Sequence, residues 1–343
     1  MITIDGIIFS LQKHGGISVY FRELLNYLAV SRVTSQLSIE EPVIQHPDAS
    51  PKYLTIDSRS SRRLERFRTC RVNAGASVFH SSYYRQPSRA NVPTVVTVHD
   101  FIYERFRSGP ALLVHTWQKH AAIRQAQSVI CISESTRDDL MKFVGIRSDQ
   151  NLHVIPNGVS NLFQPISVNQ PQCPFILFVG DRRGYKNFKL VLAGLSQLPG
   201  MELHCVGGGP LRDDEFSATS PAVRQRVRHL GFVSDEVLNV AYNQAVCLVY
   251  PSRYEGFGIP VVEAMRAGCP VVSVNCKAVL EVGGDALERL LEEDPMALAQ
   301  AVIRLCVPAY RSQRVAAGLQ RAKIYDWGRC HEQTLAVYRS LLT

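Results

Sequence analysis

The sequence lacks several features that would assign it to familiar classes. No run of about 18 uncharged apolar residues occurs, so no segment predicts a transmembrane helix. The start, Met1 to Asp5, lacks the basic and then apolar order of a signal peptide. The nine cysteines form no Cys-x-x-Cys pair, which argues against a zinc site or a disulfide framework. We therefore expect a cytoplasmic protein with reduced cysteines in its core.

The length and composition predict two domains. At 343 residues the chain exceeds the size at which one hydrophobic core usually keeps growing, and 46% hydrophobic residues suffice for two cores. Turn residues cluster at Ile155 to Val159 and again at Gln164 and Pro165, before a polar stretch. We place the boundary there, between a first domain of residues 1–165 and a second of residues 166–325.

Short apolar runs alternate with helical patterns in both halves. The first half has predicted strands at 2–9, 77–80, 94–98 and 128–132, and predicted helices at 17–28 and 111–126. The second half has predicted strands at 175–180, 202–206 and 246–250, and predicted helices at 187–198 and after Ser234. This alternation is typical of βαβ units, so the predicted fold class is α/β with two doubly wound sheets. In such sheets ligands bind beyond the carboxyl ends of the strands.

Two glutamates bracket a glycine-rich turn after the last of these strands. Glu255 precedes the turn, and Glu263 lies eight residues further on, about one turn inside a helix that Pro260 is suited to begin. The amides of residues 256–259 would then point at a ligand above the helix start, a geometry that binds sugar oxygens or phosphates. The local alternatives are a capping box of Ser252 and Glu255 and, for Glu263, a favourable interaction with the helix dipole.

Two cations follow the first predicted strand of the second half. Arg182 and Lys186 lie between a strand end and a helix start, where they would neutralise a departing diphosphate. Solvation at the surface is the alternative for both. The neighbouring Arg183 is interpreted as a solvated side chain.

Glycines and a histidine occupy other predicted strand ends. At Gly15 and Gly16 bare backbone can approach a phosphate or a sugar, although a simple turn explains them equally well because the full G-x-G-x-x-G fingerprint is absent. The turn Gly207 to Gly209 admits a base or a ribose in the same way. His99 ends the strand 94–98 and would bond a sugar hydroxyl or a phosphate, whereas a structural histidine is the alternative.

Part of the formal charge of +8 is concentrated in residues 58–71, here called the basic segment. Its spacing predicts a helix with one cationic face, formed by Arg59, Arg62, Arg63 and Arg66. Three interpretations stay open: a solvated helix surface, docking on anionic lipid headgroups or a lipid-borne phosphate, and nucleic-acid binding. No aromatic residue pattern accompanies the arginines, which disfavours nucleic acid. Lipid docking would place the protein at the inner face of the cytoplasmic membrane.

Six motifs follow one another along the chain: Gly15-Gly-Ile-Ser18, Thr97-Val-His-Asp100, Val129-Ile-Cys-Ile-Ser-Glu-Ser135, Val154-Ile-Pro-Asn-Gly158, Phe178-Val-Gly-Asp-Arg-Arg-Gly-Tyr-Lys-Asn187 and the Glu-x7-Glu element. Together they resemble the retaining glycosyltransferases of family 4, most closely the mannosyltransferase-like branch that assembles bacterial O-antigen and other surface polysaccharides. The resemblance covers nearly the whole chain. It implies the GT-B architecture, with two Rossmann-like domains facing a central cleft and residues 326–343 crossing back onto the first domain.

The resemblance implies a role for each candidate residue. Lys186 and Arg182 would stabilise the departing nucleoside diphosphate, Glu255 would hold the donor sugar and its phosphate, and His99 would contact the transferred sugar. The implied donor-binding residues are Gly15, Gly16, Gly208, Phe232, Val233, Gly256, Phe257, Gly258, Ile259 and Glu263. The sequence has no aspartate-rich metal motif, so we expect neither a metal ion nor another cofactor.

The implied reaction is hexose transfer with retention, from a nucleotide sugar to a glycan or a polyprenyl-diphosphate-linked glycan. The segment Phe178 to Phe188 is most similar to branches acting with GDP-mannose, with UDP- and dTDP-linked sugars as alternatives. A nucleotide-sugar epimerase and a non-enzymatic basic lipid-binding adaptor are rival hypotheses. A glycosidase fits less well, because its two carboxylates would have to oppose each other across the bond.

Overall fold

A computed structural model describes residues 1–12, 15–41, 53–106, 109–169 and 171–342. The chain divides into two units, one of Met1–Gly158 with Asp326–Thr343 and one of Val159–Tyr325. Gly158 thus ends the first unit, ahead of the boundary predicted at residue 165. The reason is that the second unit holds the next residues: the backbone N–H groups of Gln164 and Ile166 donate to the side chains of Asn239 and Asn243, at 3.1 and 2.9 Å.

The first unit contains a parallel sheet of seven strands. These are β1 (Ile2–Asp5), β2 (Ser35–Glu41), β3 (Leu54–Ser60), β4 (Val78–Ser81), β5 (Thr94–Val98), β6 (Ser128–Cys131) and β7 (Asn151–Val154). The helices are α1 (Ile7–Leu11), α2 (Gly16–Val30), α3 (Ile102–Phe106), α4 (Pro110–Gln125) and α5 (Glu134–Phe143), joined by α13 (Trp327–Ser340) from the end of the chain. The strand order is β3-β2-β1-β4-β5-β6-β7. The apolar side of α2 packs in the same core as residues of α13.

The second unit repeats this plan with six parallel strands. These are β8 (Phe175–Val179), β9 (Glu202–Val206), β10 (Val227–Gly231), β11 (Leu248–Tyr250), β12 (Val271–Ser273) and β13 (Glu288–Arg289). The helices are α6 (Phe188–Ser196), α7 (Pro221–Arg224), α8 (Asp235–Gln244), α9 (Ile259–Arg266), α10 (Lys277–Gly283), α11 (Pro295–Leu305) and α12 (Pro308–Ala322). The strand order is β10-β9-β8-β11-β12-β13.

The strand order of each sheet reverses at one place, between β1 and β4 in the first unit and between β8 and β11 in the second. A crevice opens outside the carboxyl ends of the strands at such a reversal, and ligands of doubly wound proteins bind there. In the second unit the residues that follow β8 lead to Lys186, and those that follow β11 lead to Glu255. The fold therefore brings two separate sequence motifs to one sheet edge.

Several predicted elements match the structure closely. The strands predicted at 94–98 and 202–206 are β5 and β9. The helix predicted after Ser234 is α8, and the Ser234 hydroxyl caps it by accepting a bond from the N–H of Val237. Within the described ranges, no helix has the length and apolar character that crossing a bilayer requires.

Two predictions about the first unit are wrong. The strand predicted over residues 2–9 ends at Asp5, because the Asp5 carboxylate accepts a hydrogen bond of 3.0 Å from the N–H of Ile7 and starts α1. The helix predicted for the basic segment does not form, and only one 3-10 turn, Glu65–Phe67, is present in it. Arg59 instead lies in β3, and Leu64 has a positive φ of 59°, which interrupts a helix.

The four arginines of the basic segment therefore share no helix face. Arg59 is paired with Asp57 of its own strand at 2.5 Å. The guanidinium of Arg62 donates to the carboxylate of Glu65 through Nε at 2.7 Å and through a terminal nitrogen at 2.6 Å. The guanidinium of Arg66 lies over the ring of Phe67. The side chains of these three arginines thus point toward their own partners and not along one helix face. Arg63 is exposed.

Candidate active site

The centre of the candidate site in the second unit is an ion pair between Lys186 and Glu255. The Nζ of Lys186 donates to Oε1 of Glu255 at 2.6 Å and to the hydroxyl of Tyr250 at 3.3 Å. Burial alone would lower the pKa of Lys186, but the Glu255 carboxylate outweighs it and raises that pKa above its ordinary value. Lys186 is therefore a fixed cation at neutral pH. Tyr250, which ends β11 just before the motif, was missed by the sequence reasoning.

The turn between Glu255 and α9 depends on one backbone conformation. Gly258 is the N-cap of α9 and has a φ of 101°, in the left-handed region that favours glycine. The ring of Phe257 is buried edge-on to Tyr325, with centroids 5.4 Å apart, so this side chain anchors the turn. Glu255 is bound to Lys186 and α9 is capped at Gly258, so the alternative of a capping box at Ser252 and Glu255 is wrong.

Glu263 lies inside α9, as the sequence predicts. The hydroxyl of Tyr242 on α8 donates to its Oε2 at 2.9 Å. Burial raises the pKa of Glu263 to about 7, and the Tyr242 hydrogen bond opposes that rise. Tyr242 was not predicted, because only the packing of α8 beside α9 reveals it.

Arg182 lies between β8 and α6, and its side chain is bonded within the second unit. Its Nε donates to both carboxylate oxygens of Glu215 at 3.1 Å, and its terminal nitrogens donate to the carbonyls of Gly207, Gly209 and Pro210 at 3.4, 2.5 and 3.0 Å. The side chain of Arg182 is buried. In the structure its guanidinium fixes the glycine turn, and its contact with a departing diphosphate stays a prediction. The exposed Arg183 pairs with Asp181, which agrees with its interpretation as a solvated residue.

The glycine turn and the end of β10 lie next to each other. The N–H of Gly207 donates to the carbonyl of Gly231 at 2.7 Å, and Phe232 and Val233 follow directly. Gly208 has a φ of 67°, and a Cβ there would lie 2.9 Å from a terminal nitrogen of Arg182. The predicted residues Gly208, Phe232 and Val233 are thus brought to one edge of the sheet. The side chain of Phe232 is exposed.

In the first unit, His99 follows β5 and is buried edge-on to the ring of Tyr20, with centroids 5.3 Å apart. Among the residues that the structure describes, its Nε2 has no hydrogen-bond partner. Burial, followed by the charge of Lys119, lowers the pKa of His99 to about 3, so the imidazole is neutral. Lys119, which was not predicted, donates to the carbonyl of Asp100 at 2.5 Å and holds the turn after His99.

Gly15 and Gly16 lie at the start of α2, in the same unit. Gly15 is its N-cap with a φ of 171°, extended backbone that any residue adopts. A Cβ at Gly15 would nevertheless lie 2.5 Å from Oε1 of Gln12, the end of a flexible side chain. The side chain of Gln12 thus lies close to Gly15, whose backbone is not strained. Within the described ranges, no group of three or more His, Cys, Asp or Glu side chains is arranged to hold a metal ion.

Comparisons with known proteins bear on both units. The family model described as Glycosyl transferases group 1 matches residues 173–307, and the one described as Glycosyltransferase Family 4 matches residues 14–161. The chain belongs to glycosyltransferase family 4. It is 26% identical to O-antigen chain mannosyltransferase B of Escherichia coli, over 95% of this chain and 96% of that protein.

Solved structures show the fold of this family 4 glycosyltransferase to be GT-B. It is similar to sucrose-phosphate synthase from Thermosynechococcus elongatus, with a TM-score of 0.78 and 21% identity over 99% of this chain and 98% of that one. It is also similar to Anabaena HepE in complex with UDP and glucose, with a TM-score of 0.70 and 15% identity over 99% of both chains. The two parallel, doubly wound sheets of the chain agree with this fold.

Proposed function

We propose that the enzyme transfers a hexose, with retention, from a nucleotide sugar to a glycan or a lipid-linked glycan acceptor during surface polysaccharide synthesis. GDP-mannose is the leading donor. The observation that carries the proposal is the Lys186 and Glu255 pair at the β8 and β11 reversal, with Glu263 on the helix that follows. Similarity to an O-antigen mannosyltransferase supports mannose and the polysaccharide role. The UDP bound to Anabaena HepE makes a UDP-linked sugar the second candidate.

The proposed chemistry depends on the negative charge that develops on the donor during the reaction. Glycosyl transfer passes through an oxocarbenium-like state while negative charge grows on the departing diphosphate. A fixed cation aimed at that charge lowers the barrier, because it needs no reorganisation during the reaction. Lys186 supplies this cation, and the amides at the start of α9 supply further positive potential. The departing phosphate takes the acceptor proton in this proposal, which accounts for retention without a protein base.

His99 and Glu263 have binding roles in the proposal. The neutral imidazole of His99 can donate or accept a hydrogen bond through Nε2, which suits a hydroxyl of the transferred sugar. The carboxylate of Glu263 accepts hydrogen bonds from the ribose hydroxyls. Arg182 fixes the glycine turn, and its predicted contact with the departing diphosphate remains part of the proposal.

A thermal-shift screen with GDP, UDP, dTDP and ADP tests the donor. A ligand that binds only the folded state raises the melting temperature by mass action, and we expect the largest rise with GDP. Product analysis with the matching nucleotide sugar then tests the reaction: the free nucleoside diphosphate should appear faster when an acceptor glycan is present. Conversion of the donor sugar without acceptor would favour an epimerase. No shift with any nucleotide and no product would favour the adaptor hypothesis.

Donor affinity should depend on the protonation of Glu263. Burial raises the pKa of Glu263 to about 7. Because ribose hydroxyls donate hydrogen bonds to the ionised carboxylate, donor binding favours the ionised form of Glu263. We expect affinity for the nucleoside diphosphate to rise with pH up to about 7 and then to level off, with a slope of about tenfold per pH unit well below the pKa.

Isothermal titration calorimetry of wild type and Glu263→Gln measures this dependence. The amide cannot ionise, so the variant should bind more weakly above the pKa and should lose the pH slope. The ligand phosphate titrates identically in both experiments, so the difference between the two curves isolates Glu263. Parallel curves for the two proteins would contradict a ribose contact through this carboxylate.

A further inference from the structure

Tyr250 is a buried tyrosine in the centre of the candidate site. It ends β11 and is 2% exposed. Its hydroxyl accepts a hydrogen bond of 3.3 Å from Nζ of Lys186, and the same nitrogen lies 5.2 Å from the centre of its ring. Burying a hydroxyl costs free energy that a phenylalanine of the same shape would avoid. The presence of the hydroxyl therefore needs a reason other than packing.

The chemistry of three side chains fixes the direction of their hydrogen bonds. An ammonium group only donates, so the phenol oxygen accepts from Lys186, and its own proton is left for another acceptor. The Glu255 carboxylate, which is hydrogen-bonded to Tyr250, is that acceptor. Burial, followed by the charge of Glu255, raises the pKa of Tyr250 well above its ordinary value, so the phenol keeps this proton at neutral pH. Lys186, Tyr250 and Glu255 thus form a closed ring of hydrogen bonds.

This ring leaves one proton of the Lys186 ammonium for a ligand. An ammonium group has three N–H bonds. One is directed to Oε1 of Glu255 at 2.6 Å and one to the Tyr250 hydroxyl at 3.3 Å, the two hydrogen-bond acceptors that the described part of the chain offers to it. Beside the ammonium lies the bare backbone of Gly180, where an added Cβ would be 3.8 Å from Nζ. The other two bonds set the direction of the third N–H.

The aromatic ring of Tyr250 also contacts the turn that begins α9. A Cβ added at Gly258, the N-cap of α9, would lie 3.8 Å from a ring carbon of Tyr250. One rigid side chain therefore contacts both parts of the site, the cation that follows β8 and the turn that follows β11. The ring packs against the turn, and the hydroxyl holds the ammonium, so the two tasks can be separated by substitution.

We propose that Tyr250 is a positioning residue for the transfer step, whose hydroxyl fixes the rotation of the Lys186 ammonium so that the third N–H is directed at the departing diphosphate. This role rests on the proposed function. Without the hydroxyl, the charge of Lys186 and its bond to Glu255 remain, but the ammonium is free to rotate about that one bond. A donor that is already oriented lowers the barrier more than one that must reorient while charge develops.

The variant Tyr250→Phe tests this role because it removes the hydroxyl and keeps the ring. We expect kcat to fall about tenfold at saturating donor, with the donor KM nearly unchanged, because the lost orientation matters when charge develops and not when the donor binds. The matched control is Tyr310→Phe on α12, which also removes a tyrosine hydroxyl that donates to a glutamate, here to Oε2 of Glu288 at 2.5 Å. This control should keep the wild-type kcat.

The affinities for two nucleotides give a readout that a merely structural role of Tyr250 would not produce. GDP carries the terminal phosphate that departs from the sugar, and GMP lacks it. In isothermal titration calorimetry, Tyr250→Phe should bind GDP severalfold more weakly and GMP as the wild type does. UDP and UMP replace this pair if UDP gives the larger rise in melting temperature. A displaced α9 would instead weaken both nucleotides alike, because Glu263 on α9 is proposed to hold the ribose.

A double variant shows whether Tyr250 acts through Lys186. The variant Lys186→Met has no ammonium to orient, so adding Tyr250→Phe to it should lower kcat no further. Circular dichroism and melting curves verify that each variant is folded.

Three results would each overturn the role of Tyr250: wild-type kcat in Tyr250→Phe, equal weakening of GDP and GMP binding, or a further loss of kcat in Lys186→Met/Tyr250→Phe. All three leave the proposed reaction standing, since the wild type still forms product. A wild type that neither binds a nucleoside diphosphate nor forms product contradicts the proposed function itself, and the role of Tyr250 with it.

Discussion

Replacement of Lys186 by methionine is expected to lower kcat by about 10²- to 10³-fold, the loss that follows removal of one preorganised donor to a developing negative charge. The ammonium lies 2.6 Å from Glu255 at the carboxyl edge of the sheet, so it is already in place before the diphosphate departs. Initial rates at saturating donor measure the effect. A change confined to KM would mean that Lys186 binds the donor equally in the ground and transition states.

Stability has to be separated from catalysis in this variant. Removing one partner of a buried ion pair costs about 3 to 5 kcal/mol, because the other charge is left uncompensated. The variant Lys186→Met/Glu255→Gln removes both charges, so it should recover much of the lost stability and none of the activity. Arg183→Met, at an exposed arginine paired with Asp181, is the control and should retain normal kcat. Normal kcat in Lys186→Met would exclude Lys186 as the source of transition-state stabilisation.

The second unit's site was predictable because its parts belong to short motifs next to predicted strands. Lys186 follows β8, while Glu255 and Glu263 follow β11. Parallel strands end at one edge of a sheet, so recognising the strands was enough to bring these residues near each other. The positions of these residues depend on the short chain segments that follow the strands, and a sequence pattern predicts such local segments.

Partners distant in the chain could not be predicted in this way. Arg182 follows β8 just as Lys186 does, yet it turns toward Glu215 and the carbonyls of Gly207 to Pro210. The basic segment fails for a different reason: its arginines have helical spacing, but Arg59 belongs to β3 and Leu64 has a left-handed φ that interrupts a helix. Residue spacing therefore predicts a helix only where the surrounding sheet and the local backbone permit one.

Replacement of Arg85 by methionine is expected to unfold the first unit or to leave it marginally stable. The fully buried guanidinium contacts three carboxylates: Asp5 at 2.5 Å, Glu40 at 2.9 Å and Glu65 at 2.9 Å. Breaking one buried pair costs about 3 to 5 kcal/mol. The total stability of a domain is about 5 to 15 kcal/mol, so the loss of these pairs, with Glu65 still held by Arg62, would remove most of it. Urea unfolding of the full chain, followed by circular dichroism, measures the loss.

The pH dependence of that loss distinguishes charge from packing. Burial alone would raise the pKa of Glu65, but Arg62 and then Arg85 lower it to about 2, so its stabilising contribution is present above 4.5 and is lost as the pH falls toward 2. Without Arg85 the folded-state pKa values of Glu40 and Glu65 rise, and protonation then favours the folded variant. The stability difference between wild type and Arg85→Met should therefore shrink from pH 7 to about 4.5. Arg62→Met, at a partly exposed arginine that contacts only Glu65 of the three, should show a smaller loss. An equal loss at both pH values would mean that Arg85 stabilises the unit by filling space rather than by neutralising Asp5, Glu40 and Glu65.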